Sequence, residues 1–231
     1  MIDQTRATGW HQVVMVAARV GGRALPLAWR VRATRGATGF DEQRGAPEAV
    51  ARLPPAGARP VLTGDRFHGT PALIAWCRER GWGWRPRLKQ DLLVVEGGGE
   101  STLAARFARG ERPPSGVELT EKRATTHVAT VHEPGRPEPW TVALSEPPTV
   151  DRAFGYGPRW GIEAMFSGFE TRGFGLEDSR LRRPERLDRP ILVMALALFW
   201  AVPTGTWDAA HRATPDEKKP RHASPATCRA A

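Results

Sequence analysis

The first part of the chain places apolar runs between short polar turns, a pattern that is typical of β-strands. Two runs, over residues 11–20 and 23–31, are separated only by Gly21 and Gly22. Two glycines accept the positive φ of a tight turn, so the pattern predicts a β-hairpin. Pro26 interrupts the second run, which predicts a sheet edge or a bulge at that position.

A strand, an acid and a helix follow one another in the next segment. The apolar residues 60–64 run directly into Asp65. Thr70 is a suitable N-cap, Pro71 suits the first helical position, and Gly81 marks the end of the helix. This order predicts an α/β crossover with Asp65 at the carboxyl end of a strand, where open α/β sheets place their sites.

The beginning of the chain also predicts a strand that carries an acid. Residues 1–5 read as the tail of a strand with Asp3 at its end, and we therefore expect most of that first strand to be missing. A return strand is predicted over residues 82–89. Residues 92–145 contain β-rich patches between Gly and Pro turns, without a helical period, and predict a β insertion.

The stretch over residues 156–170 predicts a helix that carries charged groups. Pro158 suits its first turn. Arg159 and Glu163 are four residues apart and share one helix face, to which position 170 returns. The opposite side is apolar and is predicted to be buried, at Ile162, Met165, Phe166 and Phe169. An ordinary amphipathic helix with a solvated ion pair fits the same pattern.

The C-terminal part begins with an apolar run and ends in a polar one. Residues 187–202 predict a helix, and the apolar run within it, 191–202, is too short to span a bilayer, so we expect it to be buried. Residues 206–231 offer little to bury, which predicts a disordered tail.

The amino-acid composition indicates the kind of binding partner and the cellular compartment of the protein. The formal net charge is +9 and the pI about 10.8, which favours a polyanion such as DNA or RNA. A GC-rich coding sequence would raise the content of Arg, Ala, Gly and Pro in the same way. Cys77 and Cys228 give neither a disulfide framework nor metal-binding spacing, and no apolar signal-peptide core is present. We therefore expect a cytoplasmic protein without a membrane partner.

Three acids recur in a suggestive order: Asp3 and Asp65 after strands, and Glu163 on a later helix. Hard divalent cations such as Mg²⁺ take oxygen ligands, and a pair of them promotes phosphodiester transfer. Three unrelated surface acids are the alternative. His68 follows Asp65 closely and could lie near the metals, but we predict a loop histidine.

The spacing of Tyr156, Arg159, Glu163 and Glu170 resembles the Y-(2)-R-(3)-E-(6)-K signature of DDE-type insertion-sequence transposases, with Glu170 in the lysine position. IDQT at the first acid and VLTGDRF at the second fit the same family. Two longer stretches are also similar to sequences of this family: RWGIEAMFSGFETRGFGLEDSRL and, after it, LDRPILVMALALFWAV. The resemblance covers roughly residues 1–203.

The resemblance implies an α/β, ribonuclease H-like catalytic domain over residues 1–205, with a β-rich insertion at about 92–145 before the last catalytic helix. It implies metal-dependent DNA cleavage and strand transfer at the terminal inverted repeats of an insertion sequence. Asp3, Asp65 and Glu163 match the catalytic, metal-binding triad, with Mg²⁺, or Mn²⁺ in its place, as cofactor. The expected partners are transposon ends, target DNA and a second copy of the chain in a homodimer.

Three further positions gain a role from the resemblance. Tyr156 and Arg159 match residues that hold the DNA backbone near the active site. Trp140 matches an insertion-strand tryptophan that stacks on a flipped base, and a core-facing strand aromatic is the alternative. At position 170 the family has a lysine ammonium, which attracts a phosphate. Glu170 places a carboxylate there instead, and this carboxylate would repel a phosphate.

Two functions follow as expectations. The first is a DDE transposase catalytic domain. The second is a catalytically inactive, truncated transposase remnant that retains at most DNA binding. A basic nucleic-acid-binding module without catalytic ancestry is a third class, which the ordered acids disfavour because such a module has no use for carboxylates beside phosphates.

Overall fold

The computed structural model describes residues 1–34, 36, 38–96, 99–108, 116–119, 123–131, 139–170 and 173–212. Over these residues the chain is mixed α/β, with two five-stranded sheets and several helices. The strands are β1 (Ile2–Thr8), β2 (His11–Val20), β3 (Arg23–Arg32), β4 (Val61–Gly64), β5 (Gly83–Pro86), β6 (Leu93–Glu96), β7 (Gly99–Thr102), β8 (Val117–Leu119), β9 (Ala124–Val131) and β10 (Trp140–Leu144). The helices are α1 (Phe40–Gln43), α2 (Gly45–Val50), α3 (Pro71–Glu79), α4 (Leu103–Ala108), α5 (Val150–Phe154), α6 (Gly161–Phe169) and α7 (Pro184–His211).

The first sheet has the strand order β3-β2-β1-β4-β5. Its first three strands are antiparallel to one another, whereas β4 is parallel to both β1 and β5. Helix α3 forms the predicted crossover between β4 and β5. Its N-cap Thr70 accepts a hydrogen bond from the Leu73 N–H at 3.2 Å, as the cap pattern predicts.

The predicted hairpin is confirmed as β2 and β3. Gly21 has φ +59°, the positive value that the tight turn requires. The register shifts between Val16 and Ala17, which pair with Ala28 and Pro26, so Leu27 is the extra residue of a bulge. β3 is also the outer strand of its sheet, so Pro26 sits at both an edge and a bulge.

The predicted end of the first strand is wrong. β1 covers Ile2–Thr8 rather than ending at residue 5, and Asp3 is its second residue. The strand continues after the acid because Gln4 to Arg6 remain paired with β2 along its length. Asp3 therefore lies within the described part of the strand, with five of the seven residues after it.

The second sheet has the order β10-β9-β8-β6-β7, and its strands lie in the region where the β-rich patches predict them. Helix α4, within the same region, was not predicted. The sheets meet where Arg87, just after β5, bridges to Val142 on β10. The Trp84 indole N–H donates to the Thr126 hydroxyl at 2.9 Å, so β5 and β9 are also joined by side chains.

Apolar side chains fill both faces of the first sheet. Along β2, Val14 and Val16 belong to a core beneath α2 and α3, whereas Val13 and Met15 belong to a core beneath α6 and α7. Successive residues of a strand point to opposite faces, which explains the division. The four predicted apolar positions of α6 are buried in the second of these cores, as expected.

The predicted helix over residues 156–170 is divided in two. A 3-10 turn at Gly157–Trp160 precedes α6, and Glu170 is the C-cap residue rather than a helical one. Pro158 is the second residue of this turn, where its missing N–H costs little.

The C-terminal helix differs from its prediction in length and in burial. α7 extends to His211, so residues 206–211 are helical rather than disordered, and 213–231 lie outside the described residues. Only 17% of its most apolar 18-residue window is buried, which corrects the expectation of a buried helix. By length and composition α7 could cross a membrane. One helix of this kind is also compatible with a soluble protein.

Candidate functional site

Two of the predicted acids are brought together by the register of the first sheet. Ile2 on β1 pairs with Gly64 on β4, so the residues that follow them, Asp3 and Asp65, are neighbours. Asp3 is 8% exposed and accepts a hydrogen bond from the Gln4 N–H at 2.8 Å. The expectation that the first two acids converge at this edge of β4 therefore agrees with the structure.

Asp65 is held by the turn that follows β4. One carboxylate oxygen, Oδ1, accepts the Phe67 N–H at 2.9 Å and the His68 N–H at 3.1 Å. The same oxygen lies 2.8 Å from His68 Nδ1. The carboxylate is therefore fixed in one orientation by three donors, and its other oxygen remains for a further ligand.

His68 is a site residue that the sequence reasoning missed. It is 1% exposed, and its Nε2 has no hydrogen-bond partner within the described part of the chain. One ligand atom each from Asp3, Asp65 and His68 lies within 4.8 Å of the others. The loop-histidine prediction placed the residue in the correct turn but did not anticipate its burial against Asp65. The three-residue spacing within one turn was the available signal.

Arg159 joins the third acid to the first. Its Nη1 donates to Asp3 Oδ2 at 2.8 Å, and its Nη2 donates to Glu163 Oε1 at 2.7 Å. The predicted four-residue pairing of Arg159 with Glu163 is thus present. The Arg159 side chain is 5% exposed, so this is not the solvated pair of an ordinary surface helix. Glu163 is 46% exposed and reaches the site through Arg159.

Two aromatic rings lie against the Arg159 guanidinium, and a third packs behind them. The guanidinium carbon lies 5.5 Å from the Tyr156 ring centre and 5.2 Å from that of Trp160, within the range of cation–π attraction. Trp140 on β10 packs against Tyr156 with ring centres 5.6 Å apart. Tyr156 and Trp140 are 1% and 6% exposed, so both rings are buried in this conformation.

The two neighbouring acids differ in their pKa shifts. Burial, together with the charge of Asp65, raises the pKa of Asp3 despite the opposing effect of Arg159. Burial also acts to raise the pKa of Asp65, but the hydrogen bonds and charge of His68 outweigh it and lower this pKa overall. Asp65 is therefore the more firmly ionised of the pair, as a cation ligand must be.

Glu170, in the position of the family lysine, is engaged with β1. As the C-cap of α6, it accepts a hydrogen bond from the Thr5 hydroxyl. Thr5 lies two residues beyond Asp3 on the same strand. The carboxylate thus ties the end of α6 to the strand that carries the first acid.

The ligand set of two carboxylates and one imidazole fits a divalent cation. Carboxylate oxygens suit Mg²⁺ and Mn²⁺, and an imidazole nitrogen is acceptable to Mn²⁺ and to later transition metals. No family model and no curated protein matches this chain. The assignment of function therefore depends on the residues and the geometry of this site.

Proposed function

We propose that the chain is the catalytic domain of a DDE-type insertion-sequence transposase, with a ribonuclease H-like fold. One observation carries the proposal: Asp3 and Asp65 are neighbours on β1 and after β4, and Arg159 links Asp3 to Glu163 on α6. The sheet order, with an antiparallel hairpin beside β1 and two parallel strands on its other side, supports the fold. The activity is metal-dependent DNA cleavage and strand transfer at inverted-repeat ends.

Asp3 and Asp65 would hold the cation, with His68 either as a further ligand or as the group that orients Asp65. A bound Mg²⁺ or Mn²⁺ would supply Lewis-acid activation of an attacking oxygen and stabilisation of the leaving oxygen in phosphodiester transfer. The hydrogen bonds and charge of His68 lower the pKa of Asp65, which favours the ionised carboxylate that a cation would bind. Glu163, which is half exposed, is available to complete the ligand set once Arg159 releases it.

Arg159 is the residue proposed to position phosphate. Its guanidinium lies at the site with one Nη donor on each of two acids, and a phosphate would take these donors over from the carboxylates. A phosphate accepts the guanidinium fork with two parallel hydrogen bonds. The net charge of +9 favours DNA as the polyanion. A homodimer that bridges two DNA ends is part of the same proposal.

Calorimetric titration with Mn²⁺ tests the metal centre. We expect saturable binding by the parent chain, and at least about tenfold weaker binding by Asp65→Asn and by Glu163→Gln. Asp91→Asn is the matched control, because Asp91 is an exposed acid outside the site. Failure of the folded parent to bind Mn²⁺ would contradict the proposal.

Plasmid nicking and strand transfer in Mg²⁺ separate the two functional candidates. An active transposase domain cleaves DNA, and Asp65→Asn abolishes the cleavage. Binding of both Mn²⁺ and DNA without cleavage would identify the inactive remnant instead. Strand transfer that survives Asp65→Asn would contradict the assigned catalytic acids.

The variant Glu170→Lys tests the position at which this chain has a glutamate and the signature of the transposase family has a lysine. Replacing a carboxylate by an ammonium near a phosphate changes the interaction by about 2 kcal/mol at 4 Å in water, because repulsion becomes attraction. We expect DNA affinity to rise about tenfold at low salt, as measured by fluorescence anisotropy. Glu177→Lys, at an exposed acid on the following 3-10 turn, is the control for net charge. Equal effects of the two variants would remove any special role of position 170.

A further inference from the structure

A cavity of about 680 Å³ lies at the end of the first sheet where β1 and β2 are joined by their turn. Its wall is formed by this turn, the residues after β3 and the segment before α7, at Trp10, His11, Ala33, Thr34 and Arg182. Thr8, the last residue of β1, lies about 23 Å along the strand from Met1 and about 17 Å from Asp3. The cavity is therefore separate both from the metal centre and from the end at which β1 begins.

His11 brings an unpaired hydrogen-bond donor to the wall of this cavity. The Thr8 hydroxyl oxygen accepts the Trp10 N–H at 3.2 Å and lies 2.7 Å from His11 Nδ1. We assign the hydroxyl proton to the bond with Nδ1, so the ring proton of a neutral imidazole is on Nε2. His11 is 1% exposed, and its Nε2 has no hydrogen-bond partner in the described part of the chain. Because Nδ1 is held by Thr8, the part of the ring left to line the cavity carries Nε2, and an acceptor on a ligand would satisfy it.

Two further side chains of the wall supply donors as well. The Thr34 hydroxyl oxygen accepts the Gly36 N–H at 3.2 Å, which leaves its own proton for a ligand. Arg182 is exposed and carries a positive charge, and the described residues that line the cavity include no carboxylate. Three donors without an acid favour an anion with several acceptor oxygens, such as a phosphate.

The segment before α7 fixes the backbone position of Arg182. Arg180 ends the 3-10 turn Leu176–Ser179 in the left-handed conformation, with φ 52°. The next residue, Leu181, is partly buried against the core beneath α6 and α7. Pro184 then begins α7 with its ring-restricted φ. Arg182 lies between these two anchored positions, so its backbone is held in place and its guanidinium remains to bind a ligand.

Trp10 adds a flat aromatic surface to these donors. It lies in the turn between β1 and β2 and is 58% exposed, so the fold itself gains little from its ring. Exposed aromatic side chains bind nucleic-acid bases by stacking, whatever the base, because every base has a π-face. The volume also lies within the range of about 300–1,000 Å³ that is usual for small-molecule sites. The cavity thus offers a surface for a base and donors for a phosphate.

We propose that this cavity binds a nucleoside phosphate, with its base stacked on Trp10 and its phosphate bound by Arg182, Thr34 and His11. A free nucleotide and one nucleotide of a single-stranded DNA present this same chemistry. The site uses none of the residues of the metal centre, so it is independent of the proposed transposase activity.

Calorimetric titration of the full chain with dAMP tests the proposal, in EDTA so that no divalent cation takes part. We expect saturable binding that is at least about tenfold tighter than that of inorganic phosphate or of deoxyadenosine, because each of these offers only one part of the ligand. Single-stranded oligodeoxyadenylate of about six nucleotides distinguishes the source. Tighter binding than that of dAMP identifies a nucleotide of a DNA strand, and equal or weaker binding identifies a free nucleotide. Binding of inorganic phosphate as tight as that of dAMP would overturn the proposal.

Matched variants test the location of the site. Trp10→Ala and Arg182→Met should each weaken dAMP binding by about tenfold or more, and His11→Phe, which keeps a ring without the donor, should weaken it as well. The controls are Trp200→Ala, at an exposed indole on α7, and Arg183→Met, at the neighbouring exposed arginine. Trp10 and Arg182 are exposed, so their variants test the site even where His11→Phe lowers stability. Equal dAMP affinity of each variant and its control would overturn the proposal.

Discussion

The two sheets differ in where they bury charge. Around β1 and β4, Asp3, His68 and Arg159 are all less than 9% exposed. In the described part of the region from β6 to β10, the buried polar residues are the neutral Thr126 and Thr141 and one charged residue, Arg106 on α4, whose Nε donates to the Ser101 hydroxyl at 2.8 Å. A buried charge costs free energy unless it is paired, so it is retained where it has a chemical use. The first sheet is thus set apart by a cluster of buried groups of both charges, which is where the proposed chemistry lies, and we expect the second sheet to support it.

The contact between the sheets shows what this support consists of. Trp140 belongs to the second sheet, but it packs on Tyr156 and, with ring centres 6.0 Å apart, on Trp160. Both of these rings lie against Arg159. The second sheet thus contributes one ring, Trp140, that packs behind the two rings in contact with the guanidinium.

Trp140→Ala should have the largest effect on stability. Removing a buried indole leaves a cavity and costs about 3–5 kcal/mol in the free energy of unfolding, measured with urea. Trp140→Phe retains most of the packing and should cost clearly less. If Trp140→Ala left both stability and Mn²⁺ binding unchanged, the second sheet would not support the site.

The variant Arg159→Met removes a buried ion pair, and its effect is compared with the loss of an exposed ion pair. The loss of the guanidinium leaves Asp3 buried without its partner, which should cost about 3 kcal/mol in urea unfolding. The matched control is Arg123→Met in the second sheet, where Arg123 pairs with Glu118 at 2.9 Å on the surface. That variant should be indistinguishable from the parent. Equal destabilisation by both variants would remove the contrast between the sheets.

His68→Asn tests whether the buried imidazole serves the metal centre. A group that orients or adds a ligand typically changes metal affinity by about 10–100-fold, so we expect weaker Mn²⁺ binding in that range. His127→Asn, on β9 of the second sheet, should leave the affinity unchanged. An unchanged affinity in His68→Asn would show that the residue is only a part of the turn.

The labelling rate of the Cys77 thiol should show the smallest effect of the four tests, and it reports only on the surroundings of this residue. It is fully buried in the core beneath α3, and burial raises the pKa of its thiol to about 12. In a Cys228→Ser background, labelling by a thiol reagent at pH 7 should proceed only through opening of the fold, and Mn²⁺ should slow it. Rapid labelling of the native chain would show that the core around α3 is open to solvent.

Local patterns predicted much of the first sheet. The Gly21–Gly22 turn, the bulge at Pro26 and the Thr70 cap each depend on a few neighbouring residues, and all are present. The length of β1 was not predictable in this way. Its pairing with β2 continues through polar residues such as Gln4 and Arg6, whose sequence carries no strand signal.

The site was predictable only in part, for a similar reason. The spacing of Arg159 and Glu163 gave their shared helix face, but no local pattern indicated that Arg159 also reaches Asp3, 156 residues away. His68 was underrated because burial of a turn residue depends on what packs over it. The exposure of α7 was missed because an apolar run does not reveal whether a covering layer exists.

The outer strand β3 has a consequence for the behaviour of the protein in solution. Its outer edge, which has no strand neighbour among the described residues, combines the bulge at Pro26 with the exposed arginines Arg23, Arg30 and Arg32. A bulge spoils the register that an incoming strand needs, and like charges repel a second copy of the same edge. We therefore expect this edge to disfavour strand addition, so concentrated solutions should not form β-aggregates from it.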